Sequence, residues 1–229
     1  MIIQYVFKLD DGRTLDFQVD TERSGDGRRE QADHPFWTEL EFQKCNLCPL
    51  SSSEFTHCPA ALDAQKITET FKSVISHLAV TIEVRTPERT YLKRCDAQTG
   101  LRALFGLVMA TSRCPILSQL KGLAKTHLPF ASVEETIFRS VGAYLIQQYL
   151  VQKRGGQPDW ELRGLNSLYE QLQEVNRSFK ARIDAASERD ANMNALGSLV
   201  SLAMGVAFSL EDQLAEIEHL TVSSAAPAR

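Results

Sequence analysis

Apolar and polar positions alternate twice near the start of the chain, Ile3, Tyr5 and Phe7 against Gln4 and Lys8, then Leu15, Phe17 and Val19 against Asp16 and Gln18. A period of two puts each set on its own face of a strand, and Asp10-Asp11-Gly12 supplies turn residues between the runs, so residues 1–20 predict a hairpin. The stretch 21–35 is polar and rich in chain breakers and reads as a loop. Trp37 to Phe42 reads as one more strand. Residues 59–78 then fit a helix with Leu62, Ile67, Phe71, Val74, Ile75 and Leu78 on or near one face. A second hairpin fits Val80, Ile82 and Val84, a turn at Thr86-Pro87-Glu88-Arg89, and Tyr91 to Cys95.

From residue 97 the spacing becomes helical, predicting helices over 97–112, 115–126, 132–153, 160–187 and 191–221. Ser132-Val133-Glu134-Glu135 is an S-x-x-E capping box, and Ser51 to Glu54 repeats the pattern. Gly155-Gly156-Gln157-Pro158 is the clearest linker signal. It divides a mixed body, 1–154, from a helical hairpin, 159–221, followed by a tail at 222–229 expected to be disordered. In the first hairpin helix Leu162, Leu165, Leu168, Leu172, Val175, Phe179, Ile183 and Ala186 form a nearly heptad stripe. No Gly or Pro marks the turn near 187–194, so a single long helix stays open as an alternative. The expected class is α+β, a small antiparallel sheet of two hairpins plus a strand packed with helices, followed by a long C-terminal helical hairpin. Because a lone hairpin covers each stripe on one side only, the reading includes a homodimer through these helices.

Ala191 to Leu210 is long enough to cross a bilayer and carries no charge. Its apolar spacing nevertheless continues through Glu211 and Asp212, and Asn192, Asn194 and Ser198 interrupt it, which suits a buried helix and no membrane span. Across 229 residues, 43% are hydrophobic and 24% charged, which excludes an intrinsically disordered chain. The net charge of −4 weighs against whole-protein attraction to nucleic acid or anionic lipid. The opening MIIQYVFKLDDG lacks the layout of a secretory signal, so a cytoplasmic protein is expected. Arg85, Arg89, Lys93, Arg94 and Arg102 form a local basic cluster, but no phosphate loop or nucleic-acid motif accompanies it. His127 and Glu134 could serve acid–base chemistry; Glu135 already has a capping role, no nucleophile stands out, and the sequence names no reaction.

Five cysteines, an odd number with two in a C-x-x-C pair, fit metal or redox chemistry in a reducing compartment better than a disulfide framework. Cys45 and Cys48 form that pair and Cys58 follows ten residues later, giving three soft ligands; a tetrahedral metal needs a fourth. Cys114 is the choice. Cys48, Cys58 and Cys114 each precede a proline, which favours the first turn of a helix, so such a cysteine can sit where backbone N–H groups stabilise a thiolate. His57 and Cys95 remain alternative fourth ligands. Zinc is the expected metal, with structural four-cysteine coordination in a scaffold, adaptor or regulator; an iron–sulfur or thiol-based redox protein is the alternative.

The segments CNLCPL, HCPAAL, TPERTYLKR, GLRALFGLVMATSRCP, HLPFASVEETIFR and ERDANMNAL together resemble an uncharacterised family of bacterial proteins of unknown function. The resemblance spans nearly the whole chain. It implies that Cys45, Cys48, Cys58 and Cys114 are the recurring cysteines, with Cys95 outside the pattern, and it implies no activity.

Overall fold

A computed structural model describes residues 1–23, 33–207, 214–215 and 217–220. Most of the 21–35 loop, the stretch through Glu211 and Asp212, and the 222–229 tail lie outside the described residues. Four strands, β1 (Ile2–Leu9), β2 (Thr14–Asp20), β3 (Ala79–Arg85) and β4 (Thr90–Asp96), form an antiparallel sheet in the order β2-β1-β3-β4. Alternation puts Ile3, Tyr5, Phe7, Val80, Ile82 and Val84 on a fully buried face. The other face is wet, with Gln4 bonded to Asp16 and Lys8 paired with Glu83.

Helices α1 (Pro59–Phe71) and α2 (Ala97–Ala110) contribute to the same hydrophobic core as the buried face. Asp96 starts α2 by accepting the Thr99 N–H at 2.9 Å. Gly100 lets α2 approach closely: a Cβ there would run into Ile82 Cδ1 and lie 2.7 Å from Phe7 Cε1. The remaining helices are α3 (Lys121–Lys125), α4 (Val133–Lys153), α5 (Arg163–Asp184) and α6 (Ala191–Ala207). The Ser132–Glu135 capping box forms in both directions, at 3.1 and 2.8 Å. Ser51 instead bonds its hydroxyl to Ser53, and the residues after it make a turn without a helix.

Three expectations need correction. The stretch 37–42 forms no sheet strand: Pro35 leads into a 3₁₀ turn at Phe36–Thr38, and only an isolated bridge joins Glu39 to His57. The helix expected to reach residue 78 ends at Phe71, because the chain beyond it pairs with a distant turn. Lys72 O accepts the N–H groups of Glu188 and Arg189 at 2.9 and 2.8 Å, and the Asp190 carboxylate takes both the N–H and hydroxyl of Ser76 at 2.8 Å. That docking also resolves the alternative at 187–194 as a hairpin, since the break there is held by α1's end rather than by a local Gly or Pro. The helix expected over 115–126 is a 3₁₀ turn, Leu117–Leu120, running into the short α3.

One hydrophobic core joins residues of 1–154 to residues of 159–221. Leu165, Leu172, Val175, Phe179 and Ile183 are buried within the single chain, and α6 packs on both α5 and α2. The stripe that motivated a homodimer is therefore covered without a second copy. Among the described residues no helix is long and apolar enough to cross a membrane.

Candidate metal centre

The Cys45–Cys48 segment is a tight turn in which the Cys48 N–H reaches Cys45 O at 2.9 Å. Cys58 is the N-cap residue of α1, ahead of Pro59, as its sequence position predicts. Its side chain makes no cap bond of ordinary geometry, yet the Ala60 and Ala61 N–H groups favour its thiolate. Cys114 lies before the 3₁₀ turn; its carbonyl accepts the Ser118 N–H at 2.9 Å, and the Ile116 and Leu117 N–H groups favour its thiolate in the same way. Three separate segments thus carry four cysteines whose charges act on one another.

Burial, reinforced by the charges of Cys58, Cys114 and Cys48, pushes the Cys45 thiol up to about 12. Cys114 is pushed up to about 11, mainly by burial, with Cys58 and Cys48 adding to the rise. Burial also raises Cys58. Cys95, on β4, is raised by burial and feels Asp96, Lys93 and Arg102, but no other cysteine. A nearby cation would oppose the rise at Cys45, Cys58 and Cys114 by favouring their thiolates.

The neighbouring cation is Arg182, only 2% exposed. Its Nη1 donates to the carbonyls of Trp37 and Glu39 at 2.6 and 2.5 Å, and its Nη2 to Leu40 O at 3.3 Å. No carboxylate is within ion-pair distance of it among the described residues. Burial lowers its pKa; the strongest opposing influences are ionised Cys58, Cys45 and Cys48, ahead of Glu39. Two further α5 side chains hold the same loop: Glu174 accepts from Asn46 Nδ2 at 3.0 Å, and the Ser178 hydroxyl favours the Cys45 thiolate. Glu174, Ser178 and Arg182 are four residues apart and so share one face of α5. Sequence reasoning missed this row; the signal was a lone arginine beside Phe179 and Ile183 in an otherwise apolar stripe.

His57 is engaged elsewhere, with Nδ1 at 2.9 Å from the Thr38 hydroxyl and its ring beside His34. Among the described residues no three His, Cys, Asp or Glu side chains already stand as a metal-binding group.

The basic cluster is largely spent within the fold. Arg85 pairs with Glu83, Arg94 makes two bonds to Asp10, and Lys93 lies over Phe130. His127 bonds the Tyr5 hydroxyl at 2.5 Å, and Glu134 does not line the cavity that His127 lines. Part of the His127 surface stays accessible, yet its ring is densely surrounded. Burial, with Arg139 nearby, depresses its pKa to about 3. An unfolded histidine binds a proton near ~6.5. The folded one resists, so this contribution is intact above that pH and is lost as pH falls toward about 3. Urea unfolding between neutral and acid pH should show a stability slope of up to about 1.4 kcal/mol per pH unit that His127→Gln removes. Equal slopes for both proteins would refute the assignment.

Residues 3–221 match the family model described as a domain of unknown function (DUF6901). No curated protein matches the chain, and no solved structure does.

Proposed function

Because the chain belongs to the DUF6901 family, which brings no activity with it, we propose a function from the cysteine site itself: a cytoplasmic metal-binding protein whose structural zinc is held by Cys45, Cys48, Cys58 and Cys114. The observation that carries this reading is Arg182, a buried guanidinium without a carboxylate, beside three of the four thiols. Four thiolates around a divalent ion leave two negative charges. One guanidinium and the N–H groups of Ala60, Ala61, Ile116 and Leu117 are suited to receive them. The metal would tie the loop before α1 to the turn after α2. With four protein ligands no coordination position remains for substrate, which suits a scaffold, adaptor or regulator.

Protein purified without added metal should hold about one zinc per chain. Loading the stripped protein should release protons, since the raised Cys45, Cys58 and Cys114 thiols must ionise to bind. Stoichiometric metal-free protein that takes up no zinc overturns the proposal. So does visible absorption near about 400 nm after anaerobic purification, which would instead assign these thiols to an iron–sulfur cluster.

A further inference from the structure

A half-open cavity of about 180 Å³ lies among α2, α3, α4, α5 and α6. Its walls are mostly apolar, including Leu107, Met109, Leu123, Leu172, Leu199 and Leu202. An engineered apolar cavity of ~150 Å³ in another protein is large enough to hold benzene. The space here therefore suits a body of about one aromatic ring.

Most polar groups in the lining are already satisfied. Tyr169 shares a hydrogen bond with Ser140 at 2.6 Å, Asn176 Nδ2 donates to Leu199 O at 3.3 Å, and His127 is bonded to Tyr5. The two guanidiniums differ. Arg102 lines the cavity and makes no hydrogen bond or ion pair among the described residues, its charge bearing on Asp96 and Cys95, whereas Arg85 and Arg94 of the basic segment are paired. Arg139 spends only Nη2, donating to Leu123 O at 3.1 Å and to Thr126 O at 2.6 Å, which leaves Nε and Nη1 without a protein acceptor. The nearest acidic candidate on its helix, Glu135, is closed into the α4 capping box.

A mostly apolar chamber whose charged lining groups are two arginines selects a ligand with a hydrocarbon body and an anionic end. Guanidinium forks match the two coplanar oxygens of a carboxylate. We propose that this cavity binds a small apolar carboxylate, an aryl or short alkyl acid of benzoate size, with its body among the leucines and its carboxylate on Arg102 and Arg139. The site is separate from the cysteines and does not depend on their metal.

Calorimetric titration of the full-length protein with benzoate and with benzyl alcohol tests it. Benzoate should bind saturably and at least about tenfold more tightly than the alcohol, the difference coming from the carboxylate. Arg139 also ties down Leu123 and Thr126, so Arg102, which makes no hydrogen bond and lends only a weak charge to Asp96 and Cys95, is the informative substitution. Arg102→Gln should weaken benzoate about tenfold and leave the alcohol unchanged, at an unaltered urea midpoint. Gly106→Leu, whose Cβ would meet only Leu199 Cδ2 at 3.8 Å, should fill the cavity and abolish binding of both. The proposal is overturned by no saturable benzoate signal up to about 10 mM, well above ordinary site affinities. Equal binding of acid and alcohol, or an unchanged benzoate affinity in Arg102→Gln, overturns it as well.

Discussion

Arg182→Met is expected to lower the free energy of unfolding by about 3 kcal/mol in urea at neutral pH. Methionine fills much of the same volume, so the loss comes from electrostatics and hydrogen bonding rather than from a void. The substitution strands the carbonyls of buried Trp37 and Leu40 and leaves Glu39 O with only the Phe42 N–H, all in one loop that receives the guanidinium from α5. Lysine keeps the charge but lacks the planar fork, so Arg182→Lys should fall between the two. If the guanidinium is also the counter-charge of a zinc–thiolate site, Arg182→Met should weaken zinc binding at least about tenfold. A change in stability under about 1 kcal/mol would contradict the hydrogen-bonding role. A large loss of stability with unchanged zinc affinity would separate it from the metal.

Gly100→Ala should destabilise the protein by about 3 kcal/mol, although alanine is the better helix former and would ordinarily gain up to about 1 kcal/mol inside a helix. The new methyl collides with Ile82 Cδ1 and crowds Phe7 Cε1 at 2.7 Å, both on the inner face of the sheet. Ile82→Val deletes the colliding atom. Combined with Gly100→Ala it should therefore recover more than half of the loss, whereas alone it should cost about 1 kcal/mol. Thermal or urea unfolding of the four proteins completes the cycle, and a Gly100→Ala protein as stable as the parent would show that α2 moves away from the sheet freely.

What could be read from the chain was what short-range periodicity encodes. Ile3, Tyr5 and Phe7 announce a strand, and Ser132 with Glu135 announces a helix start, because the partners lie within one turn or one hairpin. The Cys58-Pro59 step likewise announces the start of α1. Long-range pairing was hidden. The strand read from Trp37 to Phe42 failed because alternation there reflects the burial of Trp37 and Leu40 beneath other elements, while the backbone carbonyls go to Arg182 rather than to a sheet. The end of α1 at Phe71 and the break before α6 each look unmarked in isolation, since each is fixed by the other through Lys72 and Asp190. The α5 row of Glu174, Ser178 and Arg182 that meets the Trp37–Cys48 loop was not legible either, because its partners lie more than a hundred residues away.

The bond from Arg182 to Trp37 O spans 145 residues of sequence. During synthesis the loop that carries the first cysteines therefore leaves the ribosome long before the helix that anchors it. At ordinary translation rates the interval is on the order of ten seconds. Throughout it the carbonyls of Trp37 and Leu40 lack the guanidinium that later binds them, and Cys114 emerges well before Arg182. A newly made chain thus presents its thiols while the loop is unanchored, and an interruption of synthesis before residue 182 leaves it so.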